Sequence, residues 1–291
     1  MKPVSFVYLN PSTLEEALNL LNEYGDNGKI IAGGQSFVPI LNMRMSEPEY
    51  LIDINQLKEL KGIRLEDDLI KIGALTTQRE LEKNSFIKDF LPILHDAAKY
   101  IGYIQTRNRG TVGGSLAHAD PSAELPLAFL ALNAEIIVQN ELETRQIDIK
   151  DFFLTYLTTN MMPNEILTEI HVPIEQPRGF AFEEFSRKHG DFAIVAAACL
   201  LSTDQDGKIS DVRLSIGGID AVPVLAEETM EFLLGKILNE ENLDKAAELA
   251  VEYADSDSDI HASADYRLHL AKTLTKKVIK KAYQRTRGVN Q

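Results

Sequence analysis

Two glycine pairs, far apart along the chain, constrain this sequence more than any other feature. The first stands in KIIAGGQS at 29–36, where the apolar trio Ile30, Ile31 and Ala32 runs into Gly33, Gly34, Gln35 and Ser36. The second stands in TRNRGTVGGSLAHADPSAELP at 106–126, where Gly110, Gly113 and Gly114 lie among Arg107, Arg109, Thr111 and Ser115. Backbone without a Cβ turns tightly and lets bare amides meet an anion. Two arginines upstream and two carboxylates downstream, Asp120 and Glu124, suit a ligand with a diphosphate in its middle and ribose hydroxyls at one end. A dinucleotide fits that description. A single glycine pair among charged residues is more commonly a plain surface turn, so the weight rests on the second copy: two loops could close on one diphosphate from opposite sides.

AGGQS at 32–36 and the stretch 106–126 closely resemble the FAD-binding medium subunit of molybdenum hydroxylases, the family of carbon monoxide dehydrogenase and bacterial xanthine dehydrogenase. The likeness continues through SRKHGDFAIVAAA at 186–198 and DYRLHLAKTL at 265–274, so it covers nearly the whole chain. The resemblance implies an α+β protein: a two-subdomain FAD-binding fold of the vanillyl-alcohol-oxidase type, then a small α/β domain with a three-stranded antiparallel sheet and helices. The composition loosens around Pro177–Gly179, which sets the expected boundaries at 1–176, split near 55, and 177–291. The resemblance further implies that Ile31, Ala32, Gly33, Gly34, Gln35 and Ser36, with Thr111, Val112, Gly113, Gly114 and Ser115, wrap the FAD diphosphate through amides and hydroxyls. Asp120 and Glu124 would serve ribityl or ribose hydroxyls, although many relatives carry aspartate at the position of Glu124. Cofactor contacts would begin at Ile101 and Gly102, and Leu167 would pack against an adenine or ring face. Arg187, Lys188, Asp191 and Phe192 match the loop beside the isoalloxazine, with Phe192 where some relatives carry tyrosine. Arg187 or Lys188 would stabilise an anionic reduced ring, and each reads equally well as half of a surface ion pair.

No residue is assigned as catalytic. The activity implied is electron transfer within a hetero-oligomer. Substrate is hydroxylated at a molybdopterin cofactor on a large subunit, and electrons pass through two 2Fe–2S clusters on a small subunit to this FAD, then to NAD+, oxygen or another acceptor. Two alternatives stay open: a self-sufficient flavin-dependent oxidase or reductase of the same fold, and a scaffold that has lost its cofactor.

The remaining sequence bounds these readings. A formal charge of −14 with no basic tract argues against nucleic acid and anionic lipid as partners. Cys199 is the only cysteine and lies in the apolar run AIVAAACLL. It therefore reads as a buried, inert thiol, and one cysteine cannot hold an iron–sulfur cluster, which needs about four ligands. The histidines lack HExxH spacing, and DSDSD at 255–259 lacks the glycine and glutamate of a calcium loop. The former gives no metal site, and the latter reads as a solvated linker. His118 could line the ligand loop or merely cap its turn. The start lacks the long apolar core of a signal peptide, and no window approaches a membrane span, so the cytoplasm is the expected location. GxGxxG and Walker motifs are absent, which leaves the two-loop cradle as the dinucleotide mode.

Periodicity places the elements. Ser12 and Glu15 suggest a capping box before an amphipathic helix, and Thr77 with Glu80 suggests another. Residues 63–73 alternate as a hairpin, 50–54 and 165–174 read as strands, and a second hairpin is expected near 141–144. Pro92 opens a helix. The stretch 154–162 is expected to be irregular. Beyond the boundary, about three antiparallel strands precede helices near 223–234, 242–253 and 265–282.

Overall fold

The structure is a computed structural model that describes residues 2–175 and 179–286. The expected boundary at 176/177 lies outside the described residues. The chain opens with strand β1 (Val7–Leu9), helix α1 (Leu14–Tyr24), β2 (Gly28–Ile31), α2 (Phe37–Asn42) and β3 (Tyr50–Asp53). These strands form a small parallel sheet in the order β1-β3-β2. Parallel neighbours need crossovers, and α1 supplies the one into β2. The helix starts one residue later than expected. Thr13 accepts from the amide of Glu16, and Glu16 reaches back to Ser12, because a box needs its carboxylate at the third helical position.

The middle of the chain contributes β4 (Ile63–Glu66), β5 (Leu69–Gly73), α3 (Gln78–Lys83), α4 (Ser85–Phe90), α5 (Pro92–Tyr100), α6 (Ile104–Arg107), α7 (Val112–His118) and α8 (Glu124–Ala131). It continues with β6 (Glu135–Gln139), β7 (Thr144–Asp148), α9 (Ile149–Phe152), β8 (Phe153–Thr155), β9 (Thr158–Thr159) and β10 (Ile166–Pro173). The antiparallel order is β4-β5-β10-β6-β7. Both expected hairpins are present, as is the capping box at Thr77 and Glu80. The stretch expected to be irregular instead holds the β8–β9 hairpin, too short to leave a periodic signal. Helix α8 is buried along its whole length, as an all-round apolar helix must be.

The C-terminal part comprises β11 (Gly179–Ser186), β12 (Ala193–Thr203), β13 (Ile209–Gly217), β14 (Val224–Leu225), α10 (Glu227–Leu233), α11 (Glu240–Leu249) and α12 (Ala264–Thr286). Its sheet has four strands in sequence order; the fourth, β14, is two residues long and escaped the count of three. One face of this sheet packs on α12 and the other on α5 and α8. Ala196 and Phe182 belong to the core shared with the middle of the chain, whereas Val195 and Ala181 belong to the core under α12. Alternation along each strand thus glues the two halves together. DSDSD is not merely solvated: Asp259 pairs with the buried Arg267 at 2.7 Å, and Asp257 accepts from Tyr156.

Helices α11 and α12 are joined by three rungs, Glu240–Lys280, Asp244–Lys276 and Glu248–Lys272. They recur every four residues because each helix presents one face to its neighbour. Exposed pairs contribute little singly and are screened by salt. Lys276→Met is expected to lower the thermal midpoint slightly in low salt, with the difference from wild type vanishing in molar salt. Among the described residues no helix is long and apolar enough to cross a membrane.

Candidate functional site

A crevice of about 480 Å³ opens between the first sheet, the 101–124 stretch and the 190–192 loop, within the size range of small-molecule sites. Gly34 and Gly114 both line it, so the two glycine bends do meet in space. Strand β2 ends at Ile31, and residues 32–36 turn the chain into α2. Gly34 adopts a φ of 71°, a conformation open to glycine at little cost. At Gly33 the requirement is space: a Cβ there would stand 2.2 Å from the carbonyl oxygen of Arg109 and 2.9 Å from the Cα of Gly110. Asn55 holds the turn from the far side, donating to the carbonyl of Ala32 at 2.7 Å. The amides of Gly33, Gly34, Gln35 and Ser36 find no acceptor among the described residues. A row of consecutive unengaged amides at a ligand-sized crevice is an anion cradle.

The second bend has a different character. Val112, Gly113 and Gly114 are not loop but the first turn of α7, capped by Thr111. The amide of Val112 donates to Thr76, that of Gly113 to Ala74, that of Gly114 to the Thr111 hydroxyl and that of Ser115 to the Thr111 carbonyl. The expectation that both loops offer amides is therefore corrected. The 112–115 amides are engaged, and what this side presents to the crevice is the hydroxyls of Thr111 and Ser115. Thr111, Gly114 and Ser115 line the crevice, while Val112 and Gly113 sit behind it, Gly113 pressed on Ala74.

The two arginines are also redirected. Arg107 donates through Nε to Glu82 at 2.9 Å and through Nη1 to the carbonyls of Ile101 and Gly102 at 2.9 and 3.1 Å. Burial pushes the Glu82 carboxyl upward, but hydrogen bonds from Arg79 and Arg107 hold it below its ordinary value. Arg107 thus shapes the Ile101–Gly102 wall and does not reach into the crevice. Arg109 lies on a second hollow behind the 32–35 turn, beside Asp53 and Asn55. Among the described residues no lysine or arginine lines the main crevice.

Its ionisable lining is acidic: Asp120, Glu124 and Asp191, with His118 beside them. Glu124 is the first residue of α8 and only 8% exposed. Burial, aided by the nearby Glu184 carboxylate, pushes it up to about 8; the helix terminus, which favours an anion, is outweighed. Glu184 on β11 is itself pushed up to about 7 by burial, with the nearby Ser186 hydroxyl acting in the opposite direction. A carboxyl with a raised folded-state pKa holds a proton that the unfolded chain has lost, so stability falls as pH rises between the two values. In flavin-free protein Glu124→Gln is expected to remove roughly 1 kcal/mol per pH unit of that slope between about pH 5 and 8. Urea midpoints across this range check it, and an unchanged slope contradicts it.

Of the other candidates, Ile31, Ala32, Gln35, Ser36, Ile101, Gly102 and Phe192 line the crevice. Phe192 stands 64% exposed at its mouth. Gln35 turns its Nε2 back on the Gly33 carbonyl. Leu167, Arg187 and Lys188 are not brought there. Leu167 is core, paired across the sheet with Val138. Arg187 points outward and pairs with Asp191 at 2.9 Å, while Lys188 is exposed and its carbonyl accepts from the Ser186 hydroxyl and the Asp191 amide. That pairing closes the loop that carries Gly190 and Asp191 to the crevice. Sequence reasoning missed Gln78, whose capping neighbour Thr77 marked it only as helix start. It is 7% exposed, lines the crevice and keeps a buried Oε1 without a partner. Thr106 and Gly190 were also missed as lining residues, whereas Gly110, one of the three glycines of the second stretch, does line the crevice.

Residues 4–175 match the family described as the FAD binding domain in molybdopterin dehydrogenase, and residues 180–282 match the CO dehydrogenase flavoprotein C-terminal domain. The chain is 42% identical to the 6-hydroxypseudooxynicotine dehydrogenase complex subunit alpha of Paenarthrobacter nicotinovorans, covering 100% of this chain and 99% of that one. It is similar to carbon monoxide dehydrogenase of Hydrogenophaga pseudoflava, solved without the Mo-pyranopterin moiety, with a TM-score of 0.96 at 34% identity over 98% of this chain and 99% of that one. Quinoline 2-oxidoreductase of Pseudomonas putida 86 superimposes with a TM-score of 0.94 at 35% identity, covering 98% and 99%.

Proposed function

This chain belongs to the family of FAD-binding medium subunits of molybdenum hydroxylases, an oxidoreductase subunit, and from that premise we propose that it is the electron-transfer member of such a complex. In this reading a large molybdopterin-binding subunit hydroxylates the substrate. A small 2Fe–2S subunit relays electrons to the FAD held here, and NAD+, oxygen or another acceptor removes them in the cytoplasm. The relay has to be elsewhere because Cys199, the one cysteine of the chain, is buried in the C-terminal sheet. The flavin, when bound, supplies the step between electron pairs and single electrons; the chain's own residues bind, orient and exclude water.

The observation that carries this reading is the row of unengaged amides from Gly33 to Ser36, facing Thr111 and Ser115 across one crevice. Those amides suit a diphosphate without a cationic side chain. Asp120 and Glu124, on the same crevice wall, would serve ribityl or ribose hydroxyls. Ile101, Gly102 and Phe192 offer a surface for the flavin ring at the crevice mouth. Residues 1–176 would hold the cofactor, and 177–291 would close the crevice through the loop between β11 and β12.

Purification of the chain with and without its proposed partners tests the proposal. The isolated chain is expected to bind FAD and show flavin absorbance, yet to turn over no substrate until a molybdopterin subunit and a cysteine-rich subunit are added. A colourless protein that cannot be reconstituted with FAD would sink the flavin reading. Full turnover by the isolated chain would instead favour a self-sufficient oxidase or reductase.

A further inference from the structure

The entry to α8 faces a row of the C-terminal sheet, and Arg213 of β13 is turned to Asn133, beyond the other end of α8, at 2.9 Å. Glu184, Ala196 and Gly217 lie side by side across β11, β12 and β13. A Cβ on Gly217 would stand 3.3 Å from the carbonyl oxygen of Pro121, and Ser215 donates to the carbonyl of Leu127 at 2.9 Å. The small residues in this row let the sheet press against the segment that begins α8, and the Glu184 charge acts on Glu124 across the seam. One carboxylate oxygen of Glu184 is buried without a partner. Glu124, more than nine-tenths buried and lining the crevice, takes no side-chain hydrogen bond among the described residues.

The neighbouring charges do not resolve this. Asp120 adds a further negative charge beside Glu124, and Arg107 acts on it only from a distance, its donors being held by Glu82 and two carbonyls. Ser186 and Tyr100 are the polar neighbours of Glu184. His118 and Asp191 are the other ionisable groups on the crevice wall. A buried carboxyl and a half-buried one, with no ion-pair partner among the described residues, resist double ionisation.

Resting on the flavin reading above, we propose that Glu124, buried at the crevice wall, meets the dinucleotide as a neutral acid donating a hydrogen bond. An ionised Glu124 would accept from a ribose hydroxyl with equal geometric ease, so the two states differ in the sign of proton exchange. A diphosphate brings further negative charge to a crevice that lacks lysine and arginine among its described lining. Binding therefore favours the protonated form of Glu124 and takes up protons from solvent.

Calorimetric titration of FAD into the flavin-free full chain at pH 8, in two buffers of different ionisation enthalpy, counts those protons. Net uptake is expected, and the FAD Kd should rise about three- to tenfold from pH 7 to 9. Glu124→Gln should abolish the uptake and flatten the profile, and Glu184→Gln should move the loss of affinity to lower pH. Proton release, or no exchange, in the wild-type protein overturns the proposal even if neither variant folds. Uptake that persists in Glu124→Gln overturns it as well. Absence of FAD binding at every pH is a separate outcome, which removes the flavin reading on which the proposal rests.

Discussion

Gly33→Ala is expected to produce a folded protein that no longer retains flavin, with FAD affinity lowered at least about a hundredfold, or roughly 2.7 kcal/mol. The obstacles to the new methyl are the backbone carbonyl of Arg109 and the Cα of Gly110. Neither can rotate away, so the 32–36 turn must lift from the second bend, and an ångström-scale displacement takes all four amides out of register with a diphosphate. Gly114→Ala makes the control. Its methyl would meet chiefly the Thr111 hydroxyl, at 2.6 Å, a side chain that can turn at the cost of a helix cap, about 1 kcal/mol. That variant should keep measurable affinity. Equilibrium titration of flavin fluorescence, with circular dichroism to establish folding, checks both. Equal losses in the two variants would mean that the close approach at Gly33 does not set the cradle.

Arg107→Ala should be the most destabilising single change among the arginines of the 101–124 stretch, by about 2 to 4 kcal/mol. The guanidinium is largely enclosed by Glu82 and the carbonyls of Ile101 and Gly102, so its loss removes one of two cations from Glu82 and strands two backbone acceptors at once. Arg79 still pairs with Glu82 at 2.7 Å, which places the cost below that of a fully abandoned buried charge. Arg107→Lys keeps the charge but not the fork and should fall between the two. Arg109→Ala, whose side chain is exposed, should leave stability nearly unchanged. Urea denaturation of the three variants provides the comparison. Equal effects at 107 and 109 would mean that the buried clamp carries no special weight.

Arg107 and Arg109 also illustrate how far the sequence could be followed. In TRNRG they look alike, two cations beside a glycine bend, and the natural expectation was a pair of phosphate ligands. The fold turns one inward as a clamp on the crevice wall and leaves the other on a different hollow. Likewise TVGGS has the composition of a loop, yet Ala74 and Thr76 lie where they accept its amides and it winds into α7. Leu167 fits a cofactor contact by motif position and is core by packing. Gln78 carried no signal because its role depends on Gly110, far along the chain, coming to rest against its carboxamide.

What the sequence determined by itself was whatever local sterics and periodicity control: the hairpin at 63–73, the capped start of α3 at Thr77, the helix opened by Pro92, and the left-handed turn at Gly34. Its family likeness was legible too, because the motif residues stand at fixed positions in the chain. Tertiary structure alone decided which amides stay unengaged, which arginine is held, and which carboxyl lies against which. Those outcomes follow from partners distant in sequence: the strength of a hydrogen bond or charge is set by burial and by the groups around it, and neither exists until the layers have packed.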